Sequence, residues 1–234
     1  MEVLKQWDNA AELFASEQEQ SEFSQINKRV VKERFISLQN QTLLDLGCGY
    51  GWYTNYFAEA GADAAGCDGS GRMLELARRK YPEIHFQQVD ILGKLPYKNE
   101  AFDIVFCNQV LMDIDPIKGL IAEVNRITKK GGVFYMGIVH PAFYDCRWGK
   151  DATGCDKTKI MERYLSEYTF DNEYWGKTRH YHRTVSCYVN TIIDSGFRLV
   201  HLEEPRSYDG IRQSDEFPLF LFAEFIKLPN SCNV

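Results

Sequence analysis

The residues Leu43-Leu44-Asp45-Leu46-Gly47-Cys48-Gly49-Tyr50-Gly51 set a glycine-rich turn directly behind a short apolar run. Such a turn lets a ligand approach the backbone closely, and a helix that follows it offers free N–H groups. Two phosphate-binding readings fail on the residues themselves. A P-loop needs Gly-Lys-Ser/Thr, whereas Gly51 is followed by Trp52-Tyr53. A dinucleotide fingerprint needs a small residue three positions after its second glycine, for close helix–strand packing, and Trp52 stands there. What remains is a nucleoside without a pyrophosphate. Asp68 closes a second apolar run, 21 residues after Gly47, where a carboxylate can accept from both hydroxyls of a ribose. Asp90 closes a third run and can face an adenine edge. Asn108 closes a fourth, with an amide that both donates and accepts.

A second set of chemically capable residues lies further along. His140-Pro141 follows a fifth apolar run, and His180-Tyr181-His182-Arg183 precedes a later helical pattern. Imidazoles, a phenol and a guanidinium can orient a polar or anionic small molecule. An imidazole with its pKa near ~6.5 can also take a proton, which makes His140 the candidate base. Between these points, residues 140–182 hold nine aromatic residues among 43, against 14% for the whole chain. They form either a small core of their own or a pocket that excludes water and shelters a cation, an interaction of ~0.5–2 kcal/mol. The three histidines here lack metal-ligand spacing, so no metal site is expected. Cys48 reads as a passive turn residue rather than a nucleophile.

The elements that would position these groups alternate regularly. Apolar strands are expected at 42–46, 62–68, 84–90, 102–108 and 133–139, and helices at 52–60 and 70–81. Asp115-Pro116 starts a helix with proline in its first position, and Ile117, Leu120, Ile121, Val124 and Ile127 repeat at helical spacing until Gly131-Gly132 stops it. A helix at 184–195 follows, then two strands, 197–204 and 217–228, with no helix between them. These are expected as antiparallel neighbours at one edge. Continuous apolar strands alternating with amphipathic helices imply an α/β, doubly wound, mostly parallel sheet covered on both faces. Ligands of such sheets bind at the carboxyl ends of the strands, where the glycine turn, Asp68, Asp90 and Asn108 all fall.

Composition narrows the function classes. The chain has 234 residues, a net charge of −6, 44% apolar residues and 7 cysteines. It is expected to be a single domain, long enough to bury a core without disulfides. An odd cysteine count without a Cys-x-x-Cys pair suggests free thiols in a reducing cytoplasm. The acidic balance argues against nucleic acid as a partner. The longest uncharged run, 131–144, is shorter than the ~20 residues of a membrane helix, and the charged N-terminal residues do not resemble a signal peptide.

With these residues in place, the chain resembles the class I S-adenosylmethionine-dependent methyltransferases, in particular the small-molecule subgroup called methyltransferase type 11. The resemblance rests on residues 43–51, 66–77, 89–91, 95–105 and 123–132, within roughly 40–140. It implies a Rossmann-like, seven-stranded sheet whose last strand is antiparallel, with the aromatic-rich insertion after the fifth strand. Residues 1–40 become an N-terminal helical cap, 41–139 a cofactor-binding core, 140–182 an acceptor-site insertion, and 183–234 a C-terminal helix and strand pair.

By the same resemblance the cofactor is S-adenosyl-L-methionine and its product S-adenosyl-L-homocysteine. Gly47, Cys48 and Gly49 pass under the methionine part, whose ammonium Asp45 helps to hold. Asp68 and Gly69 meet the ribose, Ser70 and Met73 flank the adenosine, Asp90 and Ile91 contact adenine, and Asn108 or Gln109 meets the methionine end. The acceptor is expected to be a small molecule, methylated on oxygen or nitrogen and held by His140, Tyr144, Tyr181, His182 and Arg183. The Asn/Asp-Pro-Pro-Tyr segment typical of adenine- and amide-methylating relatives is replaced by Asn108-Gln109-Val110-Leu111. A non-catalytic cofactor-binding protein and a nicotinamide-dependent oxidoreductase are the alternatives on the same sheet.

Overall fold

The computed structural model of the chain describes residues 2–229. Two helices, α1 (Glu2–Gln20) and α2 (Glu22–Arg34), come first. The core then alternates through β1 (Thr42–Leu46), α3 (Trp52–Glu59), β2 (Asp63–Asp68), α4 (Gly71–Lys80), β3 (His85–Gln88) and β4 (Phe102–Asn108). A single 3-10 turn, Leu111–Asp113, leads to α5 (Ile117–Ile127) and β5 (Thr128–Val139). Two hairpins follow, β6 (Arg147–Lys150) with β7 (Asp156–Ile160), and β8 (Tyr168–Asn172) with β9 (Thr178–His182). The chain closes with α6 (Val185–Asp194), β10 (Phe197–Glu203) and β11 (Phe220–Lys227). Cys232 lies outside the described residues. The other six cysteines are free thiols.

The main sheet has seven strands in the order β10-β11-β5-β4-β1-β2-β3. Only β11 runs against the rest, pairing antiparallel with both β5 and β10. The strand order reverses between β1 and β4, which is where an open α/β sheet leaves a crevice for ligands. Alternation along each strand fills both faces. Leu44, Leu46, Val105, Cys107, Phe134 and Met136 pack with α5 and α6, while Leu43, Ile104, Phe106 and Tyr135 pack with α2 and α3. Aromatic rings dominate the second face, with Phe57 4.8 Å from Phe106 and Phe35 5.1 Å from Tyr135, both edge to face.

β3 stops at Gln88, short of the expected 84–90, so Asp90 lies just beyond it, and three other boundaries differ from the sequence expectation for local reasons. Pro116 is the N-cap of α5, extended at φ −81 and ψ 151, so the helix begins at Ile117. That helix ends well before Gly131-Gly132. Thr128 donates its hydroxyl to the Val124 carbonyl at 2.6 Å and turns extended, starting β5 at once. The last strand begins at Phe220 rather than 217, because Pro218 has no N–H to pair.

Gly51 shows why the turn after β1 is rich in glycine. It caps α3 at φ +82, and a Cβ there would stand 2.6 Å from the Phe86 ring and 3.1 Å from Ala77 Cβ. Gly51→Ala would combine left-handed strain of ~1–2 kcal/mol with a clash against packed neighbours. We expect it to lower the thermal midpoint by roughly 4–10 °C, taking ~2–4 °C per kcal/mol for a chain of this size. Differential scanning fluorimetry against Gly119→Ala, whose Cβ position is open within 4 Å, is the check.

Candidate cofactor and acceptor site

One cavity of about 1170 Å³ runs from the glycine turn, past the ends of β2, β3 and β4, to the two hairpins, and α1 and α2 form part of its wall. At the glycine end its lining includes Gly47, Cys48, Gly49, Asp68, Gly69, Met73, Asp90, Ile91, Asn108 and Gln109. Gly49, at φ +53, is open towards this space, since a Cβ built on it meets nothing nearer than Met73 Sδ at 3.9 Å. Asp68 accepts from the Gly49 N–H at 2.9 Å through one oxygen and from the Ser70 N–H at 2.8 Å through the other. Each oxygen keeps a lone pair for a further donor. Burial raises its pKa, opposed by these backbone bonds.

Asn108 donates to Asn27 Oδ1 at 2.9 Å, and Tyr53 donates to the same oxygen at 2.8 Å. Asn108 Oδ1 and Gln109 Nε2 are buried with no partner among the described residues. Gln109 is also held at φ +59, its N–H donating to the Gly137 carbonyl at 2.7 Å. An unpaired acceptor beside an unpaired donor suits the carboxylate and ammonium of an amino-acid moiety. With the open face of Gly49 and the carboxylate of Asp68, this end of the cavity fits the S-adenosylmethionine that the sequence implied.

Two residues expected at the cofactor do not line the cavity. Asp45 shares the parity of Leu43 in β1, so it points to the face covered by α3, where Thr54 donates to it at 2.6 Å. It is 2% exposed, and burial raises its pKa to about 7. Ser70 is the N-cap of α4, accepting from Met73 N–H at 3.1 Å and donating to Asp8 of α1 at 2.6 Å. Cys48 lines the cavity, but its side chain packs with Leu74, Ala77 and Phe86, and burial drives its pKa up.

The acceptor set also divides. Tyr144 and Tyr181 line the cavity; His140, His182 and Arg183 do not. His140 Nδ1 accepts from the Ala142 N–H at 3.1 Å, which leaves Nε2 to donate to Glu204 at 2.7 Å. Both nitrogens are committed, so His140 is a corner brace rather than a base. His182 stacks on Tyr168 at 4.4 Å and pairs through Nε2 with the Tyr164 carbonyl at 2.8 Å. Arg183 donates to the carbonyls of Leu111 (3.3 Å) and Ile114 (2.7 Å) and to Asp115 (2.7 Å).

Other residues take their place. Asp113, Lys159, Trp175, Arg179 and His180 line this half, together with Trp7 and Phe14 from α1. Lys159 lies 4.0 Å over the Trp148 ring, and burial lowers its pKa. Phe14 meets Trp175 edge to face at 5.1 Å, joining α1 to the second hairpin. One signal for His180 was present in the sequence: in a strand, Thr178, His180 and His182 share a face, and all three are buried. Among the described residues no group of three His, Cys, Asp or Glu side chains could hold a metal ion, and no helix is long and apolar enough to cross a membrane.

Comparison with known proteins agrees with this geometry. Residues 44–136, from β1 to β5, match the family model described as a methyltransferase domain. A demethylmenaquinone methyltransferase of Renibacterium salmoninarum is 32% identical over 117 residues, 50% of this chain and 49% of that protein. A malonyl-[acyl-carrier protein] O-methyltransferase of Enterobacter lignolyticus is 28% identical over 116 residues, 50% of this chain and 46% of that protein. The chain thus spans about half the length of these curated relatives. An S-adenosylmethionine-dependent methyltransferase of known structure from Mesorhizobium loti superimposes with a TM-score of 0.74 at 27% identity, covering 85% of this chain and 96% of that one.

Asp45 generates a prediction on stability. Its folded pKa, about 7, lies above the unfolded value of 3.8, so the folded state holds the proton more tightly. Stability from this group is therefore present at low pH and lost as pH rises from about 4 to about 7, by up to ~1.4 kcal/mol per unit. We expect Asp45→Asn, which keeps an acceptor for Thr54, to flatten the fall in thermal midpoint across that window. Parallel pH-dependent melts of the two proteins read it; equal slopes would refute it.

Proposed function

We propose, for a chain that belongs to the class I S-adenosylmethionine-dependent methyltransferases, that it transfers a methyl group to an oxygen or nitrogen of a small polar or anionic molecule. The observation that carries this reading is the single cavity shared by the glycine turn and the two hairpins. At about 1170 Å³ it exceeds the ~300–1,000 Å³ of a usual one-ligand pocket, which suits a cofactor and an acceptor side by side. When bound, the cofactor supplies an electrophilic methyl on a sulfonium.

The chain's own residues then bind, align and exclude water. Asp68 accepts from ribose hydroxyls with the lone pairs that Gly49 and Ser70 leave free. Asp90, Ile91 and Met73 border the adenine, while Asn108 and Gln109 engage the amino-acid end. The acceptor rests between the hairpins, its anionic part drawn to Lys159 or Arg179. Arg183, already held by two carbonyls and Asp115, does not take part. Aromatic walls from Phe14, Trp148, Phe170 and Trp175 keep water out and favour a cation. Holding donor and acceptor in line supplies most of the rate of such a displacement, which needs little covalent help.

Calorimetric titration tests the cofactor half. S-adenosylhomocysteine should bind the wild type, and Asp68→Ala should weaken it ~10–100-fold, the loss of one or two hydrogen bonds to a charged group. Binding of NADH instead of S-adenosylhomocysteine would overturn the reading, and so would an unchanged affinity in Asp68→Ala.

A further inference from the structure

His180 and Asp113 form a pair that the cofactor does not need. His180 is 1% exposed and Asp113 4%, and both line the cavity. His180 Nε2 stands 3.4 Å from Asp113 Oδ1. Neither imidazole nitrogen, nor that oxygen, has a hydrogen-bond partner among the described residues. Unpaired buried polar atoms are costly, so an imidazole with two of them is an expensive feature unless a ligand completes it.

The ring is also held in place. Tyr144 stacks parallel to it at 6.0 Å and Phe170 tilts over it at 5.3 Å. Asn172 donates to the Tyr144 hydroxyl at 3.2 Å, fixing that wall in turn. The opposite member is equally fixed. Asp113 ends the 3-10 turn that leaves Asn108-Gln109, and Arg183 grips the Leu111 and Ile114 carbonyls on either side of it. The pair thus joins the strand end that meets the amino-acid part of the cofactor to the hairpin that meets the acceptor. Burial keeps the imidazole unprotonated, with its pKa lowered to about 4.

We propose that His180 is the group that takes the acceptor's proton, with Asp113 as its positioning partner, and that the acceptor is a neutral hydroxyl on an aromatic ring. The inference rests on the methyltransferase reading above and narrows its substrate. The acceptor oxygen forms a bond to the methyl carbon as the carbon–sulfur bond breaks and its electron pair stays on sulfur. The hydroxyl proton passes to His180. A sulfonium and a neutral imidazole become a thioether and an imidazolium, so one positive charge is moved rather than a new one created. That charge forms between the Tyr144 and Phe170 rings and 3.4 Å from Asp113, whose carboxyl burial holds towards its neutral form. An acceptor that already lacked its proton would leave His180 with nothing to do. The aromatic walls Phe170, Trp148 and Trp175 suit a ring, and Lys159 suits an acidic substituent on it.

The test uses the full chain saturated with S-adenosylhomocysteine and labelled with nitrogen-15 histidine. Phenol, catechol and 4-hydroxybenzoate are the probes, with benzoate as the control that has no proton to give. The His180 resonances, assigned by their absence in His180→Gln, should shift with a hydroxylated probe and stay put with benzoate. The probe that binds should be methylated when S-adenosylmethionine replaces the product. His180→Gln should then lose ~10²–10⁴-fold in kcat, the usual worth of a general base, with KM and the affinity for S-adenosylhomocysteine held within about threefold. Asp113→Asn should lower kcat and leave KM in place, a split that a merely structural role would not produce. Full activity in His180→Gln, preference for benzoate, or no binding of any hydroxylated probe overturns the proposal. Failure of S-adenosylhomocysteine to bind overturns the methyltransferase reading instead, so the two are read separately.

Discussion

Arg183 leaves the end of β9 and enters the protein between α6 and the turn after β4, where its guanidinium meets the carbonyls of Leu111 and Ile114 and the carboxylate of Asp115. Its side chain is 5% exposed. A guanidinium at that depth depends on its partners, and leaving one of its buried hydrogen bonds unmade costs ~1–3 kcal/mol. The consequence is geometric. The turn that follows Asn108-Gln109 is fastened to the hairpin that carries His180, so the two ends of the cavity cannot drift independently. A residue that reads in the sequence as an anion-binding side chain instead ties the turn after β4 to the end of β9.

A second set of ties closes the cavity from the other side. Asp8 of α1 accepts from Ser70 at the start of α4, Gln6 accepts from the Arg179 N–H at 3.1 Å, and Trp7 stacks with Trp175 at 6.4 Å. One helix therefore touches both the start of α4 and the second hairpin. Its inner surface, Trp7, Ala11 and Phe14, packs with Tyr50, Met73 and Leu76 in a cluster separate from the two main cores. Such a cluster holds less apolar area than the sheet faces.

The cofactor end was largely legible in the sequence because it is built from consecutive residues at strand ends. Glycine stereochemistry, the exclusion by Trp52 and the placement of Asp68, Asp90 and Asn108 need only local pattern and the rule that parallel strands bind ligands at their carboxyl ends. Asp45 escaped for a simple reason. In a strand buried on both faces, apolar neighbours on each side do not reveal which way a polar residue points, and only the packing of α3 against β1 put Thr54 beside it. Ser70 escaped because its partner, Asp8, lies 62 positions away.

At the acceptor end the sequence determined that chemically capable side chains would gather, and it did so through composition. Three histidines and nine aromatic residues fall within residues 140–182, a bias that a surface loop would not hold. It did not determine which of them would be free. His140 is consumed by Glu204, His182 by Tyr164 and Arg183 by the Leu111 and Ile114 carbonyls, all partners distant in the chain. His180, between them in sequence, is the one left without a partner. Element order and turn chemistry follow from neighbours along the chain, and those the sequence decides alone. Whether a polar side chain is spent on structure or left for a ligand depends on what the tertiary fold brings within 3 Å of it, and that only packing decides.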